Sequence, residues 1–308
     1  MSEQPRPAPG SGTAPGTAPG AAFGTAFPAS APPGANPELA ALGETWWQAV
    51  QSFVVLLEGL DEAQWRRPTG LSGWDVHAVA AHVAHLESLR AGTPHDDVEI
   101  GDPEHVRNAM GRFTEQGVAA RRDRTPAELL AEIRTATAAL RRLQFAEPPT
   151  DPDAPAPGAF GLIGWSTRTL LRNRPLDVAM HELDVRRAVG RPGNLEHPSV
   201  VHCADYLSES LGYVLAKRVQ APLGTTVRLD VTGHPARAWQ VGEDGRGHAL
   251  SPVPERADVR LACDRETFLL LAGGRVHGAA ATATRARVQV EGDADLAAQI
   301  LARMAVTP

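Results

Sequence analysis

The sequence predicts a helical domain followed by a small α+β domain, and two periodicities carry that prediction. From Asn36 to about Val219 the apolar residues recur at the 3.6-residue spacing of amphipathic helices; beyond Pro222 they alternate with polar residues at the period of a half-buried strand. A third observation concerns where folding begins. Residues 1–36 are a low-complexity tract of Pro, Ala, Gly, Ser and Thr, with too few large apolar groups to offset the entropy of ordering its backbone. The expected division is a disordered tail over 1–36, a helical bundle over 37–195, and a linking helix with an α+β domain over 196–308.

The elements follow in order. Leu39, Leu42, Trp46, Val50, Phe53, Val54 and Leu57 form one stripe behind an Asn36-Pro37 start signal, which predicts a first helix. Residues 61–73 are turn-rich, and a second helix is expected from near Trp74 to Leu89. A less apolar helix is expected over 103–122. Thr125-Pro126-Ala127-Glu128 then combines an N-cap, a first-turn proline and a first-turn acid, opening a helix to about 144. Residues 147–158 read as a loop. A long helical pattern over 164–189 contains Pro175, where it must kink or restart, and stops at Gly190-Arg191-Pro192-Gly193. One more amphipathic helix is expected over 198–219. Strands are expected at Thr226–Val231, Ala236–Val241, Ala257–Ala262 and Ala286–Gly292, with helices at Arg265–Leu271 and Asp293–Met304.

Composition excludes several classes of function. A net charge of -6, with arginines scattered among acids, gives no footprint for a phosphate backbone, so nucleic acid is not an expected partner. The two cysteines, Cys203 and Cys263, form no paired motif, which fits a reducing cytoplasm. No signal-peptide pattern starts the chain, and no apolar run approaches the roughly 20 residues of a membrane span.

The chemistry concentrates in Gly73-Trp74-Asp75-Val76-His77-Ala78-Val79-Ala80-Ala81-His82-Val83-Ala84-His85-Leu86-Glu87, where three histidines interrupt an apolar helical run. His82 and His85 share a face at a spacing of three, while His77 points elsewhere. Asp177 and His181, four apart, share a face of the later helix. Two helices of a bundle can project such pairs inward to hold a metal ion; imidazole and carboxylate suit zinc, and three protein ligands leave a position open for water or substrate. Taken singly, any of these histidines would more ordinarily be a hydrogen-bonded or exposed residue. The nearby acids Glu87, Glu182 and Asp184 are expected to be solvated or paired along their own helices.

The segment Gly73-Trp74 followed by His82 resembles the Gly-Trp-x7-His signature of the mycothiol-dependent maleylpyruvate isomerase family. The run from Arg174 to Gly193, with Asp177 and His181 inside it, is similar to that family's second signature. Leu271-Ala272-Gly273-Gly274-Arg275 and Val288-Gln289-Val290-Glu291-Gly292-Asp293 resemble its carboxyl-terminal domain. The resemblance covers roughly residues 37–308 and implies a DinB-like four-helix bundle followed by a small sterol-carrier-like α+β domain. It implies His82, Asp177 and His181 as zinc ligands, some members carrying Glu where Asp177 stands. His85 lies outside the family's ligand set, and its shared face with His82 makes it the candidate for contact with the cofactor.

The implied cofactors are Zn2+ and mycothiol, because an open zinc position can hold a thiol as thiolate and neither cysteine has a motif neighbour. The implied activity is isomerase or S-transferase: the thiolate adds to an electrophilic small molecule, and for maleylpyruvate, rotation and elimination complete the isomerisation. Arg275 is the candidate cation for an acidic substrate or the developing enolate. Two other readings stay open at this point, a small-molecule or lipid binder with a vestigial metal site, and a hydrolase using zinc-bound water. The chain is expected to be a monomer or small homo-oligomer.

Overall fold

Asn36 starts the first helix: its side chain accepts from the backbone N–H groups of Glu38 and Leu39, and Pro37 at the first position lacks only a donor that would have gone unused. This helix, α1, spans Pro37–Glu58. The structure, a computed structural model, describes residues 34–307. The expected disorder of the tail therefore lies outside the described residues, save for its last three positions. A short helix α2 (Glu62–Trp65), capped reciprocally by Asp61 and Gln64, occupies part of the expected turn region.

Helix α3 (Val76–Arg90) begins where the Asp75 carboxylate accepts from the N–H of Ala78. Every side chain from Val79 to Ser88 is buried, so α3 is enclosed on all sides and its histidines are interior. Helix α4 (Ala109–Ala119) is shorter than the expected 103–122 because its N-cap is Asn108. Helix α5 (Pro126–Ala146) opens with the anticipated Thr125 and Glu128 capping box. After a short α6 (Ala159–Leu162) comes α7 (Thr167–Ala188), which carries Pro175 inside one continuous helix. Helix α1 packs along α7, and α3 lies against α4, α5 and α7.

The expected helix over 198–219 is broken. Helix α8 (Pro198–Ser208) stops, a single turn α9 (Leu211–Tyr213) follows, and Val214–Val219 is a π-helical turn ended by Gln220 at φ 58°. The cause is a close approach: a Cβ on Gly212 would stand 2.8 Å from the carbonyl oxygen of Gly247, so strand backbone passes where a regular helix would place a side chain.

The remaining elements are β1 (Thr226–Val231), β2 (Arg237–Val241), β3 (Gly247–Ala249), β4 (Val259–Cys263), α10 (Arg265–Ala272), α11 (Gly278–Arg285), β5 (Gln289–Gly292) and α12 (Ala294–Ala302). They build a mixed sheet in the order β3-β2-β1-β4-β5, with β1 and β4 parallel and the other pairs antiparallel. The alternation read in the sequence places Val227, Leu229 and Val231 inward. These residues share a core with Leu261, Phe268 and Ile300, and also with Leu176, Ala179, Met180 and Leu183 of α7. One face of α7 thus packs toward the sheet while Asp177 and His181 lie on another. Among the described residues no helix is long and apolar enough to cross a membrane.

Candidate metal centre

The enclosed helix α3 and the continuous helix α7 bring His82, Asp177 and His181 together, with one potential ligand atom from each lying within 4.8 Å of the others. His82 Nε2 is 3.3 Å and His181 Nε2 is 3.6 Å from the same Asp177 oxygen, Oδ1. Both histidines are buried, and Asp177 keeps only a small exposed edge. Two imidazoles and one carboxylate aimed at a common point form a donor set that fits a divalent ion, with room in the coordination sphere for a further ligand.

Behind each α7 member of the cluster stands a charged partner. Asp177 Oδ2 lies 3.1 Å from the Nη2 of Arg174, which is itself bound to Glu87 Oε1 at 2.8 Å. Burial alone would raise the Asp177 carboxyl, but Arg174, His82 and His181 together hold it well below the usual carboxylate range. His181 Nδ1 faces Asp184 Oδ2 at 3.4 Å. The two imidazoles consequently diverge: burial outweighs Asp177 and pushes His82 down, whereas burial of His181 is overcome by two carboxylates, which raise it.

Glu87, Glu182 and Asp184 are buried at 0%, 0% and 2% exposure, which corrects the expectation of solvated acids. The pairing half of that expectation is present, since Glu87 binds Arg90, Glu182 binds Arg186, and Asp184 binds Arg187 along their own helices. What the pattern did not reveal is that the same acids also reach across the fold. Glu87 accepts from Trp46 and Arg174, and Glu182 from Ser52 and Asn194. Arg174, three residues before Asp177, was the available signal, because a helical neighbour at that spacing can reach its carboxylate.

Trp74 covers the cluster, its ring centroid 5.0 Å from His82 and 6.1 Å from His181. Its indole Nε1 donates to Glu115 Oε2 at 2.9 Å, the oxygen that also faces His105 Nε2 at 2.9 Å. Gly73 sits at φ 80°, and a Cβ there would stand 2.4 Å from the His105 ring. Glycine beside tryptophan is therefore needed for the ring's anchorage. A cavity of about 530 Å³ opens on this side, lined by Arg66, Thr69, Ser72, Trp74, Glu115 and Arg122 among others, and none of the three ligand residues lines it.

The structure does not bring His85 into the cluster. It is 1% exposed, its Nδ1 is 3.4 Å from Asp96 Oδ2, and its ring lies beside His95 and Phe113. It also lies so close to α4 that a Cβ on Gly117 would stand 2.2 Å from it. Enclosure of this kind leaves no open face toward a cofactor. His77 is held by the carbonyl of Arg124 and sits edge-on to Trp65. Arg275, expected to face substrate, has its side chain only 7% exposed and engaged within the fold: its Nε donates to Asp184 Oδ2 at 3.2 Å, and its Nη1 donates to the Gly273 carbonyl and the Thr307 hydroxyl.

Burial of His85, reinforced by Arg121, pushes its imidazole down to about 4, so the folded chain holds it neutral while the unfolded chain takes up a proton below its ordinary value of 6.5. Its contribution is complete above pH 6.5, declines as pH falls from 6.5 to about 4, and is constant below that. The loss amounts to about 3 kcal/mol. Urea unfolding from pH 7 to pH 4 is expected to fall less steeply for His85→Leu than for the wild-type chain; parallel curves would refute the assignment.

Fold and site together define a class: a helical domain with a buried cluster of two histidines and one aspartate, continued by a mixed-sheet α+β domain. Sequence profiles agree on which class this is. The Mycothiol maleylpyruvate isomerase N-terminal domain matches residues 46–186, and the MDMPI C-terminal domain matches residues 202–299. The chain belongs to the mycothiol maleylpyruvate isomerase family. Among solved structures it is similar to the mycothiol-dependent maleylpyruvate isomerase, at 16% identity and a TM-score of 0.50, covering 77% of this chain and 90% of that one. A histidine-to-alanine mutant of the mycothiol-dependent maleylpyruvate isomerase gives 16% identity, the same coverages and a TM-score of 0.47. No curated protein matches the sequence.

Proposed function

We propose that the protein is a mycothiol-using isomerase or S-transferase of the maleylpyruvate isomerase type, with His82, Asp177 and His181 as ligands of a divalent ion, zinc by the character of the donor set. The observation that carries this reading is the convergence of the three donors in a buried site of a chain belonging to that family. When bound, the ion supplies Lewis acidity that lowers the pKa of a coordinated thiol.

The chain's own residues set the stage for that chemistry. Arg174 keeps Asp177 ionised, Asp184 stands behind His181, and the Trp74 ring shields one side from water. The protein's own thiols are unsuited to attack. Burial pushes the Cys203 thiol up, and burial together with Asp264 pushes Cys263 up to about 12. The nucleophilic sulfur therefore comes from a small molecule, and the matched family's description names mycothiol. Addition forms a sulfur–carbon bond to the electrophile; in an isomerisation, elimination breaks that same bond and returns the thiol, whereas a transferase keeps it.

The same proposal reads 37–195 as a DinB-like four-helix bundle and 196–308 as a sterol-carrier-like domain, in a cytoplasmic monomer or small homo-oligomer. Calorimetric titration with mycothiol, before and after chelation, is the test. Binding is expected to disappear on chelation and return with added zinc. Unchanged binding to the chelated protein would overturn the proposal.

A further inference from the structure

The geometry points to Asp184 as a positioning residue of the metal centre: it holds His181 as the Nδ1–H tautomer, leaving the Nε2 lone pair for the metal, and Arg275 pins Asp184 in place. The inference rests on the reading of His82, Asp177 and His181 as metal ligands.

Three observations carry it. First, the two nitrogens of His181 face different carboxylates. Nε2 is 3.6 Å from Asp177 Oδ1, within the converging set, and Nδ1 is 3.4 Å from Asp184 Oδ2. The second distance is an ion-pair contact rather than a formed hydrogen bond, and the buried Nδ1 has no hydrogen-bond partner, so Asp184 Oδ2 is the acceptor within its reach. An ionised carboxylate accepts only, so the proton of a neutral ring belongs on the nitrogen facing the acid that is not itself a ligand.

Second, the oxygens of Asp184 are divided. Oδ1 accepts from Arg187 Nη2 at 2.7 Å, a partner three residues along the same helix. Oδ2, the oxygen turned to His181, accepts from Arg275 Nε at 3.2 Å. Arg275 is fixed in turn by the Gly273 carbonyl and the Thr307 hydroxyl, so the last described residues of the chain brace a ligand on α7. Third, His82 lacks such a neighbour: the Nδ1 of each ring is buried without a hydrogen bond, but among the described residues only that of His181 faces a carboxylate oxygen. An outer carboxylate on one histidine is the usual device for setting ring orientation and ligand basicity.

A merely structural role would make Asp184 a counter-ion for two arginines, and Arg187 separates the alternatives because it touches only the other oxygen. The probe is zinc itself, measured by competition with a chromophoric chelator on the full chain. Asp184→Asn is expected to weaken zinc binding about 10- to 100-fold, while Arg187→Gln leaves it at the wild-type value. Equal affinity in wild type and Asp184→Asn would overturn the inference alone; no zinc binding by the wild type would overturn the metal reading and this inference with it. Because Asp184→Asn removes a buried charge and can fail to fold, a second measurement uses only the zinc-loaded wild type. Imidazole proton–nitrogen correlation spectra are expected to show His181 protonated at Nδ1 and coordinated at Nε2. The opposite tautomer would overturn the assignment.

Discussion

Asp177→Ala is expected to abolish metal retention, with a loss of affinity beyond the roughly 10- to 100-fold that follows removal of an outer partner. Asp177 is the one carboxylate among the three proposed ligands, and its Oδ1 is the point toward which both imidazoles turn. Without it, a dication would meet two neutral rings and the fully buried guanidinium of Arg174, whose charge Asp177 Oδ2 now helps to balance. Repulsion from a guanidinium then balanced only by Glu87, which it shares with Arg90, adds to the lost coordination bond in a low-dielectric site. Asp177→Glu keeps the charge and is expected to retain metal. The check is metal content per chain by atomic emission after exhaustive dialysis. A stoichiometric ion in Asp177→Ala would remove Asp177 from the ligand set.

How far this site was legible depends on the range of the forces that build it. Helix starts at Asn36, Asp75 and Thr125 are decided by side chains capping neighbouring backbone, so local sequence displays them. The turn spacing of Asp177 and His181 is likewise local. Their meeting with His82 is tertiary, and it was a family resemblance that linked them across 95 residues. Glu87 and Asp184 were not legible, because a charged residue on a helix reads as solvent-facing until a partner on another helix is known; only Arg174, one turn before Asp177, carried a local signal. Strand β3 is three residues long, and α11 is mostly Ala and Thr with no apolar stripe, so neither gives a periodic signal. The break near Gly212 has its cause in strand backbone more than thirty residues away.

Glu87→Ala is expected to cost about 3–5 kcal/mol of folding stability, the scale for breaking a buried ion pair by removing one partner. Glu87 is wholly buried and ties three helices. Its Oε1 accepts from Arg174 Nε and Nη2 on α7, at 3.0 and 2.8 Å, and from Trp46 Nε1 on α1 at 3.2 Å, while its Oε2 accepts from Arg90 on its own helix at 2.7 Å. Alanine would leave the Arg174 guanidinium with Asp177 alone, deprive the buried Arg90 guanidinium of the carboxylate it binds, and leave the Trp46 indole N–H without its acceptor. Water cannot easily replace the carboxylate among Trp46, Arg90 and Arg174, which are nearly inaccessible. Burial would raise the Glu87 carboxyl, but Arg174 and Arg90 bring it below its ordinary value of 4.5. Its stabilisation is therefore complete above that pH and fades as acid protonates the folded form, a dependence that Glu87→Gln should remove. Urea denaturation at pH 7 measures the loss, and a difference under about 1 kcal/mol would place Glu87 among ordinary surface pairs. Because Arg174 joins Glu87 to Asp177, the folded fraction of Glu87→Ala is also expected to hold metal less tightly. The acid that ties three helices together is one link removed from the carboxylate of the proposed metal site.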